Sequence, residues 1–157
     1  MKNENNKIFQ NYMQMAINIA KTASKKKDEI PVGCVMVDDK NGQIIAKSHN
    51  ETIKYQNPTK HAEIICINKA LKKLKTDRLT NCSMYITLEP CLMCYGAILL
   101  AKIGKVYIGC LSQKTGAIIS NPAKLKKEFC NHKPDIYYPI MEQECKTLIE
   151  NFFKNKR

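Results

Sequence analysis

Two short segments hold four residues whose types and spacing could do chemistry together. "HAE" sets His61 two residues before Glu63, and "PCLMC" sets Cys91 and Cys94 three apart behind Pro90. A lone C-x-x-C has three readings. A thioredoxin-like redox pair needs no distant histidine. A structural zinc site takes four protein ligands, usually from two such pairs, whereas a catalytic zinc site takes three and leaves the fourth position to water. The chain has three histidines, His49, His61 and His132, and no second C-x-x-C. The redox and structural readings therefore lack their usual companions, with His49 and His132 still available as a fourth ligand.

The elements that must position these residues favour the catalytic reading. Pro90 suits the first position of a helix, where its missing N–H costs nothing. Cys91 is then expected in the first turn, with Cys94 on the same face because residues three apart are neighbours. The positive helix end favours the thiolate, the form that binds metal. His61 opens an earlier helix in the same way. Open α/β sheets place sites where such helix starts meet at one edge. Glu63, in the first turn, can reach the same cavity and do general acid/base work beside an activated water. Alone, His61 reads as a packed or hydrogen-bonded histidine and Glu63 as part of a solvated helix face. The ordered set H-x-E then P-C-x-x-C, each at a helix start, is far more specific.

Along the chain, Ile8, Tyr12, Met15, Ala16, Ile19 and Ala23 share one helical stripe over 8–23. Pro31 and Gly33 break that helix. "VGCVMV" and "QIIAK" read as strands joined at Asn41-Gly42, a strong hairpin signal. Residues 49–60 form a polar loop. A helix over 61–74 is marked by Ile64, Ile67, Ala70, Leu71 and Leu74. "CSMYITL" is a third strand, about 91–101 a helix, and "KVYIG" a fourth strand. Residues 110–134 are less regular and hold the basic patch Lys124, Lys126 and Lys127. "DIYYPI" is a short fifth strand at an edge, since Pro139 cannot donate to a ladder. A C-terminal helix, about 141–155, carries Cys145, Leu148, Ile149 and Phe152 on its apolar face. A hairpin followed by strand–helix–strand units implies an α/β fold, a mixed sheet of about five strands covered by helices on both faces.

The 157 residues suggest one domain, 1–157, with a zinc-binding core over about 30–110. A chain of this length buries roughly 68–70% of the surface exposed on unfolding and needs no disulfides. No apolar run approaches the roughly 18 residues that span a bilayer. The polar N-terminus has no signal-peptide core, so a cytoplasmic location is expected. Eight cysteines are then mostly reduced thiols, with Cys34, Cys66, Cys82 and Cys110 as small buried hydrophobes. The net charge is +12, almost all from lysine, Arg78 and Arg157 being the two arginines. Such a charge attracts polyanions and suggests nucleic acid, although lysines also populate ordinary solvated faces.

H-x-E…P-C-x-x-C is the pattern of zinc nucleobase deaminases, and the resemblance extends further. "IPVGCVMV", "SHNETI", "NPTKHAEI", "YITLEPCLMC", "GAI", "KIGKVYIG", "QKTGAIIS" and "ECKTLIENFF" follow in order over about residues 30–153. In these segments the chain resembles the bacterial tRNA-specific adenosine deaminases. The resemblance implies a cytidine-deaminase-like three-layer αβα sandwich, a homodimer and one zinc ion per chain. It implies hydrolytic conversion of adenosine to inosine at the wobble position of a tRNA anticodon stem-loop. By motif position His61, Cys91 and Cys94 hold zinc, and Glu63 shuttles protons. Asn50 would bind the target base, and Lys114 and Phe153 would lie near the RNA or base. Without the resemblance, these last three read as a turn residue, a solvated lysine and a core aromatic.

Two positions depart from the family pattern. Lys60 stands where alanine usually precedes the histidine, and Ser112 stands where an acidic residue is common. Both put flanking-nucleotide contacts in question and leave the zinc chemistry intact. Two alternatives stay open at this point. One is deamination of a free nucleobase or nucleoside of guanine or cytosine type. The other is a zinc-stabilised RNA-binding subunit without catalysis, which would have no need of Glu63.

Overall fold

A computed structural model of the chain describes residues 2–27, 29–122 and 131–156. The basic patch Lys124, Lys126 and Lys127, together with Cys130 and Arg157, lies outside the described residues. The elements are α1 (Lys2–Lys27), β1 (Gly33–Asp38), β2 (Gln43–His49), α2 (Ala62–Leu74), β3 (Cys82–Leu88), α3 (Leu92–Leu100), β4 (Lys105–Cys110), β5 (Asp135–Tyr137) and α4 (Glu142–Lys154).

The strands form one mixed sheet in the order β2-β1-β3-β4-β5. The pairs β1/β2 and β1/β3 are antiparallel, and β3/β4 and β4/β5 are parallel. The Asn41-Gly42 signal is borne out: Gly42 has φ +69° and Asn41 Oδ1 accepts the Gln43 N–H at 2.9 Å. β5 is an edge strand, as expected, and Pro139 falls just beyond it.

Both sheet faces are covered, which gives the expected three-layer αβα sandwich. On one face Cys34, Met36, Met84, Ile86, Val106 and Ile108 pack with Ala62, Cys66 and Ala70 of α2 and Ile98 of α3. On the other, Val35, Val37, Tyr85 and Tyr107 pack with Met13, Ala16 and Ile17 of α1 and Cys145 of α4. Strand side chains alternate between faces, so each strand supplies both cores. The register aligns Tyr85, Tyr107 and Tyr137 across β3, β4 and β5, and their rings stack at 4.4 and 4.6 Å between centroids.

Three sequence expectations need correcting. α1 begins at Lys2 rather than near residue 8, because its first turns are polar and carry no apolar period. Its buried line runs through Met13, Ala16, Ile17, Ala20 and Ala23, leaving Ile8 exposed at the rim. On α2 Ile67 and Ala70 are buried as expected, together with Ala62, Ile65 and Cys66, while Leu74 is exposed at the end of the helix. Gly33 allows the close crossing of α1: a Cβ there would meet the Ala16 carbonyl oxygen at 2.0 Å.

Candidate metal centre and active site

Two helices point their N-termini into one cleft. His61 is the N-cap of α2 and Cys91 the N-cap of α3, both with extended backbone. The carbonyl of each accepts the first helical bond, from Ile65 N at 3.1 Å and from Tyr95 N at 2.8 Å. Cys91 is therefore the cap rather than a first-turn residue, and Pro90 precedes the cap instead of occupying the first helical position. Neither cap side chain bonds back to its own helix. Both turn toward the other helix instead. His61 Nδ1 lies 3.7 Å from Cys91 Sγ and 3.5 Å from Cys94 Sγ. Among the described residues, His61, Cys91 and Cys94 form the one group of three such donors close enough for a single ion, all within 4.8 Å of one another.

The other two histidines are engaged elsewhere. His49 Nδ1 donates to the Asn50 carbonyl at 2.7 Å, and His132 Nε2 donates to the Ile103 carbonyl at 2.6 Å. No fourth donor joins the group among the described residues. One imidazole and two thiols suit zinc, and a three-ligand set is the catalytic pattern. Cys94 is fully buried, while His61 and Cys91 are half-buried and line a cleft of about 250 Å³. The donors fit the ion, and the cleft gives water and substrate access to it.

Glu63 lies in the same cleft, 4% exposed. Burial pushes its carboxyl up to about 7, against the pull of the neighbouring His61. The Cys94 thiol bonded to Cys91 draws the Cys91 thiol down to about 4, against its burial. The same bond raises Cys94, and the Cys91 bond raises His61.

Ile30, Val32 and Leu88 give the cleft apolar walls, and Asn50, Thr52, Glu89 and Thr115 its polar rim. Asn50 is buried, as its polar surroundings require. Its Nδ2 donates to the Ile30 carbonyl at 3.2 Å, and its Oδ1 accepts the Ala62 N–H at 2.9 Å. A side chain twelve residues away thereby satisfies one of the orphan donors at the start of α2. Lys114 is exposed beside Thr115 and does not line the cleft. Phe153 is 48% exposed on α4, edge-on to Phe152, and does not line it either. Lys60 sits with its ammonium 5.6 Å from the Tyr55 ring centroid. Ser112 bonds Thr115 hydroxyl to hydroxyl at 2.8 Å.

Two buried carboxylates, Glu89 at the cleft rim and Glu29 behind Thr52, escape a reading of the sequence. Glu29 accepts Ile53 N at 2.6 Å, Lys54 N at 3.0 Å and the Thr52 hydroxyl at 2.9 Å. Glu89 accepts four backbone N–H groups and a hydroxyl from residues 112–120. Burial opposes ionisation of Glu89, but the Ser120 hydroxyl and these amides hold its carboxyl below the usual range. The sequence signal in each case is a glutamate next to a proline or an apolar residue at a strand end. That signal becomes legible only once a loop folds back over it.

Comparison with known proteins agrees with this geometry. Residues 6–110 match the family model described as the cytidine and deoxycytidylate deaminase zinc-binding region. The chain is 38% identical over 146 residues to a tRNA-specific adenosine deaminase of Agrobacterium fabrum, covering 93% of this chain and 94% of that protein. It is 39% identical over 146 residues to one of Bacillus subtilis, covering 93% and 89%. A solved structure from a study of A-to-I editing by tRNA:A34 deaminases at the wobble position superposes with a TM-score of 0.81 at 36% identity, covering 88% of this chain and 98% of that one. A guanine deaminase from Nitrosomonas europaea shares the fold, with a TM-score of 0.78 at 18% identity, covering 91% and 83%.

Proposed function

The chain belongs to the tRNA-specific adenosine deaminases of the cytidine and deoxycytidylate deaminase zinc-binding family, and on that premise we propose that it hydrolytically deaminates adenosine to inosine at the wobble position of a tRNA anticodon. The observation that carries the reading is Glu63 buried in the same cleft as His61, Cys91 and Cys94. We propose that His61, Cys91 and Cys94 hold one zinc ion. When bound, zinc supplies the Lewis acidity that makes water a nucleophile near neutral pH.

Glu63 handles the protons. Its carboxylate takes one from the attacking water and delivers it to N1 of adenine. It then takes the proton of the hydroxyl newly added at C6 and passes it to the departing amino nitrogen, so adenine and water become hypoxanthine and ammonia. A carboxyl held near 7 by burial can both accept and give a proton at working pH. Ile30, Val32 and Leu88 offer the apolar surface a purine ring needs. Asn50 has one amide hydrogen beyond its bond to Ile30 and is proposed to direct it at the base. The base must leave its stack to enter the cleft, which suits an unpaired anticodon nucleotide.

The RNA is proposed to lie across a lysine-rich surface that includes Lys114, with the exposed Phe153 ring available to an unstacked neighbour. The whole chain acts as one deaminase domain. A homodimer is supported by α3, whose sequence LMCYGAILL is almost wholly apolar yet leaves Leu92 and Leu100 exposed at 59% and 80%. No helix among the described residues is long and apolar enough to cross a membrane. A tRNA substrate is in keeping with a cytoplasmic site of action. The deciding experiment supplies an anticodon stem-loop and, separately, free guanine, cytosine and adenosine. Inosine formed in the RNA is the expected result, and ammonia released only from free bases would replace this reading.

A further inference from the structure

We propose that Glu89 is a positioning residue that ties the loop over residues 111–121 to the metal ligand Cys91, and so sets how RNA meets the cleft. The proposal rests on the RNA-deaminase reading above.

The carboxylate sits at the centre of the loop. Its Oε1 accepts Ile118 N at 3.2 Å, Ile119 N at 2.6 Å and Ser120 N at 2.9 Å. Its Oε2 accepts Ser112 N at 3.1 Å and the Ser120 hydroxyl. Five donors from both ends of one loop thus converge on a side chain that is 3% exposed. The next two residues extend the tie. The Pro90 carbonyl accepts Ala117 N at 2.9 Å, and Cys91 forms a β-bridge with Gly116. The loop wraps so closely that a Cβ on Gly116 would stand 2.1 Å from Glu89 Oε2.

On the other side, Glu89 N donates to the Cys110 carbonyl at 2.8 Å, which anchors the residue to the end of β4. Glu89, Cys91 and Thr115 all line the cleft. One connection therefore runs from the sheet, through Glu89, to a metal ligand on one side and, on the other, to the cleft rim at Thr115, beside which Lys114 stands exposed. Buried amides alone need only some acceptor. Glutamine would offer one oxygen and turn an NH₂ group toward N–H donors, which leaves buried polar groups unpaired.

The test uses the full chain loaded with zinc. Glu89→Gln is compared with the unaltered protein for zinc per chain, for amide hydrogen exchange, and for kinetics on an anticodon stem-loop. Expected are one zinc per chain and faster exchange at Ser112, Ile118, Ile119 and Ser120, with Ile65 and Tyr95 unchanged. KM for the RNA rises about tenfold while kcat stays within about threefold, the signature of lost binding rather than lost chemistry. Gly116→Ala, which keeps the carboxylate but crowds it, should raise KM in the same way and serves if Glu89→Gln does not fold. Loop amides that stay protected, or a fall in kcat proportional to zinc lost, would overturn the proposal. Absence of inosine with the unaltered protein would defeat the RNA reading instead, and the exchange measurement would still decide the tie.

Discussion

His61 Nδ1 stands 3.5 Å from Cys94 Sγ although 33 residues separate them in the chain. The approach is made by backbone geometry: each residue sits at the start of a helix, and both helices start at the same end of the sheet. A site assembled this way binds metal at the cleft edge of the core, with Cys94 its one fully buried donor.

Chelation should therefore open the site without unfolding the chain. Cys91 is half-buried, whereas Cys34, Cys66, Cys82, Cys94, Cys110 and Cys145 are buried. Treatment with a chelator followed by iodoacetamide should modify Cys91 first among these seven, as read by peptide mass mapping. Prior modification of Cys34 or Cys66 would mean that the core opens before the site does.

Replacing Glu63 with glutamine keeps the shape of the cleft and all three metal donors. Zinc content should stay at one per chain, while kcat for inosine formation falls about 10²–10⁴-fold, the usual worth of a general acid/base. A fully active variant would remove Glu63 from the mechanism and revive the picture of a zinc-stabilised RNA binder.

Gly33→Ala tests the packing of α1 on β1. The new Cβ would meet backbone atoms of Ala16 and Ala20 rather than the end of a flexible side chain. Thermal or denaturant unfolding should show a loss of about 1–3 kcal/mol, typical of overpacking. Zinc content should not change, because the strain falls on the helix behind the sheet, away from the cleft.

Leu100→Lys tests the dimer. Leu100 is 80% exposed at the end of α3, so its loss should cost the single chain little. Sedimentation should shift from two chains to one. A protein that already sediments as one chain would leave the apolar α3 surface to some other use.

Lysine-held phosphates would make RNA affinity fall steeply with salt, as log K against log salt concentration with a slope near −0.7 per phosphate on single strands. A flat response in a filter-binding or fluorescence titration would show that the +12 charge is not what holds the RNA.

Much of this was legible in the residues before any coordinates. Strands β1 to β4 can be bounded closely because their apolar centres are punctuated by Pro, Gly and Asn. The metal set could be read because its chemistry demands particular side chains at fixed spacing. What escaped depends on the folded surroundings. The first turns of α1 carry no apolar period, so nothing marks them as helix. Pro90 fits as well before the cap as inside the helix, so the sequence alone sets Cys91 two positions further into α3 than its true place as the N-cap. The capping of α2 by Asn50 from twelve residues away needs the loop in place to be seen. Glu29 and Glu89 have ordinary neighbours in the chain, and only the loops that wrap them give them meaning. Phe153, a core aromatic by its place on the C-terminal helix alone, is instead exposed on α4 away from the cleft.

An imidazole and two thiolates make a soft, electron-rich nest, and such a nest has no built-in preference for zinc. Cuprous ion is at least as fond of sulfur, and cupric ion outranks zinc on most nitrogen and sulfur donors. Selection of zinc would then rest on the geometry of the three donors and on which metal is available, as well as on the donors themselves. Copper in excess would therefore be expected to compete with zinc for His61, Cys91 and Cys94, readable as copper per chain rising while inosine formation falls.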